Sequence, residues 1–163
     1  MTPHVLKQDQ YIDAPLEIVF PFFSRPENLE RLTPDFMGMK VLTPQPIPMY
    51  VGAIIDYSVS VNGIPMRWTT CISEYDPPHR FVDVQLKGPY SFWHHTHTFE
   101  SEGNGTRIHD EVRYLVPFGP IGAIAHHLMI KRQLNTIFSY RRTVLDNVED
   151  WTSGSGIESR LTA

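Results

Sequence analysis

Odd and even positions separate along residues 92–100. Trp93, His95, His97 and Phe99 fall on one side of an extended chain, and Phe92, His94, Thr96, Thr98 and Glu100 on the other. The run 107–115 divides in the same way, with Ile108, Asp110, Val112 and Tyr114 opposite Arg107, His109, Glu111 and Arg113. The first set of each run is the apolar one, which points His95, His97 and Asp110 toward the interior. Weaker period-two runs occur at 4–12, 39–43, 53–61, 66–75 and 80–87. Between them stand turn-forming sequences: Pro44, Pro46 and Pro48, then Asn62-Gly63, Asp76-Pro77-Pro78, Gly88-Pro89 and Gly103-Asn104-Gly105. Seven short strands at this spacing predict an antiparallel meander. There is no strand–helix alternation of the doubly wound kind and no internal repeat.

Helical signals sit at two places. After the first strand, Asp13-Ala14-Pro15 offers a cap and a proline for the first turn of a short apolar helix over 16–24, with Pro21 expected to kink it. A second short helix is expected over 26–32. All 14 prolines lie between Pro3 and Pro120, so the last quarter is uninterrupted and reads as helix to about Asp150. Its apolar stripe shifts part-way. Ile121, Ile124, Ala125 and Leu128 share one face; Ile130, Leu134, Ile137, Phe138, Val144, Leu145 and Val148 share another. Such a helix must bend or bury different sides along its length. Residues 1–150 are expected to form one domain, with 151–163 a flexible tail. A curved sheet gripping one long helix leaves a hollow suited to a small molecule.

Composition narrows the classes. The chain has 163 residues, 41% hydrophobic and 20% charged, with a net charge of −4. A globular domain follows, and a nucleic-acid partner is not expected without a basic excess. No apolar run reaches the roughly 20 residues of a membrane span, and the N-terminus lacks the apolar core of a signal peptide. Cys71 is the sole cysteine, which excludes an internal disulfide framework. A soluble cytoplasmic protein with no stable membrane insertion is expected, and its oligomeric state is open.

The run Ala14-Pro15-Leu16-Glu17-Ile18-Val19-Phe20 followed by Pro26-Glu27-Asn28-Leu29 resembles the opening of the START-like, or SRPBCC, superfamily. The likeness continues through Gly63-Ile64-Pro65-Met66-Arg67-Trp68, Phe81-Val82-Asp83, Lys87-Gly88-Pro89-Tyr90 and Trp93 to Glu100, then Gly105-Thr106, Asp110 to Tyr114 and Phe138 to Arg141. It spans about residues 4–148 and is similar to a bacterial branch of ligand-binding or cyclase/dehydrase-like proteins. The resemblance implies an α+β helix-grip fold: a curved seven-stranded antiparallel sheet around a long C-terminal helix, with two short helices after the first strand. The superfamily includes enzymes, carriers and sensors, so the activity does not follow from the fold.

Facing patterns supply candidate site residues. Tyr57 with Val59, and Trp68 with Thr70 and Ile72, are expected inward. Along 81–87 hydrophobicity favours Val82, Val84 and Leu86 as the inner set. The inward histidines on the neighbouring strand and the likeness around Phe81-Val82-Asp83 favour Asp83 and Gln85, which are taken as inner. Arg141 lies in the middle of the second apolar stripe, where its head must reach solvent or meet a carboxylate. The expected ligand-binding set is Tyr57, Trp68, Asp83, Gln85, Trp93, His95, His97, Phe99, Tyr114, Ile137 and Arg141.

Three arrangements use such residues. One is a closed hydrogen-bond network with Asp110 on Arg141, His95 or His97. Another is a pocket for a small hydrophobic ligand such as a lipid, an aromatic or a polyketide-like molecule. In its enzymatic form, a cyclase or dehydratase, His95 or His97 acts as general acid/base tuned by Asp110. The last is a metal site, since His95 and His97 stand about 7 Å apart along one strand face and Asp83 or Asp110 could add a carboxylate. Ligand binding is the preferred expectation, with catalysis by His95, His97 and Asp110 second and a non-catalytic interaction protein with a filled interior third. No metal and no other cofactor is expected. His126-His127 read as a solvated edge, and Lys131-Arg132 with Arg141-Arg142 as an exposed basic face. Cys71 reads as outward and unreactive, and the Pro44–Pro48 segment as a stiff loop at the pocket mouth.

Overall fold

The computed structural model describes residues 2–61, 63–125 and 129–147. Seven strands form one antiparallel sheet: β1 (His4–Ile12), β2 (Lys40–Val41), β3 (Ile54–Val61), β4 (Ile64–Asp76), β5 (Arg80–Lys87), β6 (Phe92–Glu102) and β7 (Gly105–Leu115). Their order is β1-β7-β6-β5-β4-β3-β2, so β3 to β7 run as the expected meander and β1 closes on β7. Two residues, Gly103-Asn104, turn β6 into β7, and Gly103 there takes φ +61°, a conformation glycine adopts freely.

Helix α1 (Leu16–Phe23) and a 3-10 turn (Pro26–Leu29) follow β1, and a second 3-10 turn (Asp35–Met37) precedes β2. Pro21 lies inside α1. Pro15, not Asp13, occupies the capping position, and no side chain caps the helix. The helix is held instead by its apolar face: Leu16, Val19, Phe20 and Phe22 are buried. Phe20 meets Phe99 and Phe81 edge-on, with ring centroids 5.2 and 6.2 Å apart.

The C-terminal quarter is helical at Gly119–Ala125 (α2) and at Lys131–Asp146 (the long α3), and residues 126–128 between them lie outside the described residues. Ile121 and Ile124 of the first expected stripe do not join the core, being 75% and 62% exposed. The second stripe does: Leu134, Phe138 and Leu145 are buried, with Arg141 among them. Arg142 anchors α3 to β1, donating to the Asp9 carbonyl at 2.6 Å and to Gln8 Oε1 at 3.1 Å. The basic face expected at 131–142 is therefore split, with Arg141 buried and Lys131, Arg132 and Arg142 exposed. Asn62, His126-His127, Leu128, Val148 and the expected tail 151–163 lie outside the described residues.

Candidate functional site

Buried apolar side chains form three groups: one under α1, one between β3 and the 37–49 segment, and one around Trp93, Tyr114, Leu134 and Phe138. The space between them is not filled. A cavity of about 170 Å³ opens there, walled by β3 to β6, α3 and the segment from Phe23 to Met49. By volume it exceeds the roughly 150 Å³ engineered cavity that admits benzene. An interior packed solid, the premise of the interaction-protein expectation, is not what this fold has.

Of the expected residues, Tyr57, Trp68, Asp83, Trp93, His95, His97, Ile137 and Arg141 line the cavity. Three do not. Phe99 points inward but is fully buried under α1, packed on Phe20, Phe23 and Phe81. Tyr114 is also inward and packs on His4, Tyr90 and Trp93 near the end of β7. Gln85 turns aside to clamp the following loop. Its Nε2 donates to the Tyr90 carbonyl at 2.7 Å, and the Tyr90 N–H donates to its Oε1 at 3.3 Å. That clamp seats Tyr90 against Trp93 and Trp68, with centroids 4.8 and 5.7 Å apart, so Gln85 shapes the wall without touching the space.

Sequence reasoning missed several wall residues. Met37, Met39 and Met49 reach the cavity from irregular segments, where no periodicity announces a facing. Tyr90 follows Gly88-Pro89, a turn whose direction only the Gln85 clamp decides. Phe138 is visible in the sequence as part of the apolar stripe but not as a wall.

The polar end is built by strand register. His95 pairs with Asp83 across β5–β6, and His97 pairs with Asp110 across β6–β7. Each carboxylate also reaches the other histidine diagonally, as same-face neighbours in a sheet do. His95 Nε2 donates to Asp110 Oδ1 at 3.1 Å, and His97 Nε2 donates to Asp83 Oδ2 at 3.1 Å. His97 Nδ1 lies 2.7 Å from Asp110 Oδ1, a contact of charge without hydrogen-bond alignment. His95 Nδ1 lies 3.5 Å from Asp83 Oδ2. Phe81 stacks on His97 at 4.2 Å, and Phe138 meets His95 edge-on at 5.8 Å.

Charges in this cluster are set by burial and by one another. Burial disfavours both carboxylates in ionised form. For Asp110 the charge of His97 and hydrogen bonds from both histidines outweigh burial and hold it far below the usual carboxylate range. Asp83 is held down by His95, His97 and, more weakly, Arg141. Burial and the neighbouring His97 push His95 down, against Asp110 and Asp83. His97 goes up, because Asp110 and Asp83 outweigh its burial. The two imidazoles are thus driven apart, His97 toward the imidazolium and His95 toward the neutral form. With the His95 proton at Nε2, as its bond to Asp110 requires, Nδ1 carries a lone pair on the Asp83 side. Tyr57 is raised by burial and by Asp83, so it stays a phenol.

Asp83, His95 and His97 offer ligand atoms all within 4.8 Å of one another, a donor set that could hold a divalent ion. Asp110 does not take Arg141 as partner; the histidines occupy it. Arg141 is buried and, among the described residues, forms no ion pair with a carboxylate, contrary to one of the two expectations for it; its Nε has no hydrogen-bond partner. Its guanidinium carbon lies 5.1 Å from the Phe138 ring centroid. Cys71 sits at an intermediate depth, free. Among the described residues no helix is long and apolar enough to cross a membrane.

Solved structures share this fold. The Thermus thermophilus protein TTHA0849 superposes with a TM-score of 0.68 at 18% identity, covering 87% of this chain and 97% of its own. A START superfamily protein from Mycobacterium smegmatis gives 0.66 at 12% identity, with 89% and 99% covered. Major latex-like protein 151 of Panax ginseng gives 0.56 at 14% identity, with 83% and 97% covered. A search of curated proteins finds no match. The fold is thus the helix grip of START-like domains. Residues 3–150 match the family described as polyketide cyclase / dehydrase and lipid transport, and the chain belongs to that family.

Proposed function

We propose that this protein binds one small hydrophobic molecule, a lipid, an aromatic or a polyketide-like compound, in the cavity between sheet and α3. The observation that carries the reading is an apolar chamber with one polar end. Trp68, Trp93, Ile137 and the methionines surround the body of a guest, while Asp83, His95 and His97 face its functional group. Apolar walls with a few convergent polar groups are the general form of small-molecule sites. A cytoplasmic carrier or sensor fits the solitary, unpaired Cys71. The test is a thermal-shift screen of apolar compounds against wild type and Ile137→Trp, whose indole occupies the chamber. Stabilisation of wild type alone supports the reading; equal shifts in both proteins contradict it.

The lone pair on His95 Nδ1 favours a second, catalytic reading. In a cyclase of this kind His95 removes a proton from a carbon between two carbonyls. The electron pair passes to the carbonyl oxygen as an enolate, whose carbon attacks a second carbonyl of the same molecule. The alkoxide formed there takes a proton from the His97 imidazolium, and His95 returns its proton to His97 through the Asp83 carboxylate. Loss of turnover in His95→Ala with binding retained would mark an enzyme, whereas binding with no turnover in wild type would mark a carrier.

A further inference from the structure

Resting on the reading of the chamber as a ligand site, we propose that its ligand carries a carboxylate head, held by Arg141 at the polar end with the apolar body toward the mouth. Arg141 is 8% exposed and lines the cavity. Its Nε is buried with no hydrogen-bond partner, and among the described residues no ion pair engages its guanidinium. A buried guanidinium without acceptors is unfavourable unless something supplies them. The nearest carboxylates do not. Asp83 is engaged by His97 and His95, and Asp110 by both histidines.

Position explains why those donors remain free. Arg141 stands on the same face of α3 as Leu134 and Phe138, one turn beyond Phe138, and its guanidinium carbon lies near that ring. The ring is thereby on one side of the planar group. A planar fork of N–H donors beside an apolar chamber matches a carboxylate, which accepts two parallel hydrogen bonds. Hydroxyl and amide heads leave part of that fork unmatched.

The experiment uses the full chain and matched probes: decanoate with decanamide, and 4-butylbenzoate with 4-butylbenzamide, by titration calorimetry at pH 7.5. At least one carboxylate should bind about tenfold or more tighter than its amide, the scale of a charge-assisted pair over a neutral one. Arg141→Met and Arg141→Gln should lose that preference, with a far-UV circular dichroism spectrum like that of wild type reporting that each variant is folded. Equal affinity for acid and amide in wild type overturns the carboxylate assignment and leaves the ligand-site reading standing. Absence of binding by all four probes removes the ligand-site reading for chain-like and single-ring compounds, and the carboxylate assignment with it.

Discussion

His95 and His97 hold their imidazole centroids 3.8 Å apart at an interplanar angle of 39°, with one carboxylate at each end of the pair. Two imidazolium ions at that separation would repel strongly in a buried setting. The pair therefore holds its charge unequally, His97 the more readily protonated and His95 the less, and the two flanking aspartates are held toward the ionised form. Much of the chemistry ascribed to the chamber follows from this asymmetry.

Stability against pH reports it. Asp83 and Asp110 titrate lower in the folded chain than unfolded. Their contribution is present above about pH 3.9 and is lost as pH falls toward their folded values. His97 titrates higher when folded, so its contribution is full below about pH 6.5 and fades as pH rises through its folded value. His95 acts in the opposite sense, because the unfolded chain takes a proton the folded one refuses as pH drops below about 6.5. The histidines thus oppose each other near neutrality, and the carboxylates govern the acid limb. Asp110→Asn should lose about 3 kcal/mol at pH 7 by breaking a buried charge pair. Urea melts across pH 2–8 should show a shallower acid limb for the variant, and an unchanged limb would contradict the charge assignment.

Phe99 separates packing from binding. It is fully buried and touches Phe20, Phe23 and Phe81, but not the cavity. Phe99→Ala should cost about 3–5 kcal/mol in denaturant unfolding, with ligand affinity in the surviving folded fraction unchanged. A matched loss of affinity would place the chamber closer to α1 than described.

Gly88 tests the loop clamp. A Cβ there would lie 2.4 Å from Gln85 Oε1 and 2.7 Å from its Cδ. Gln85 is the side that can yield, and yielding releases the Tyr90 backbone. Gly88→Ala should lose about 1 kcal/mol and alter the emission of Trp68 and Trp93, which Tyr90 abuts. Gln85→Ala should give the same spectral change, and spectra identical to wild type in both would refute the clamp.

How far the site could be read from sequence depended on which physical signal each residue carried. Strict alternation in β6 and β7 exposed the inward facing of His95, His97 and Asp110, because one face of each strand is apolar. The same signal says nothing about depth along a strand. Phe99 and Tyr114 face the right way, yet α1 covers the first and the β1 edge packs on the second. In β5 the period is disturbed by register shifts against β4 between Thr69 and Thr70 and between Ile72 and Glu74. Phe81, Val82 and Asp83 are consequently all buried or half-buried in succession, and hydrophobicity alone could not choose a face. The stripe of α3 located Arg141 inside, but a helix pattern carries no information on which charges a neighbouring sheet has already paired. Ile121 and Ile124 show the converse: an apolar period without a partner surface.

Metal content is a further check. A proton on His97 supplies positive charge between the two carboxylates, and a divalent ion on Asp83, His95 and His97 would take its place. Elemental analysis of the purified chain should give well under one equivalent of zinc, iron or other transition metal, and chelation should leave the melting temperature unchanged. A stoichiometric metal would mean that the cation in the cluster is not a proton.

Native mass spectrometry of the chain purified from its own host reads whether the chamber holds a guest. Wild type should carry a mass increment of one small organic molecule per chain, released on denaturation and absent from Ile137→Trp prepared in the same way. A wild-type spectrum indistinguishable from that of the blocked variant, apart from the substitution itself, would contradict a ligand-binding chamber.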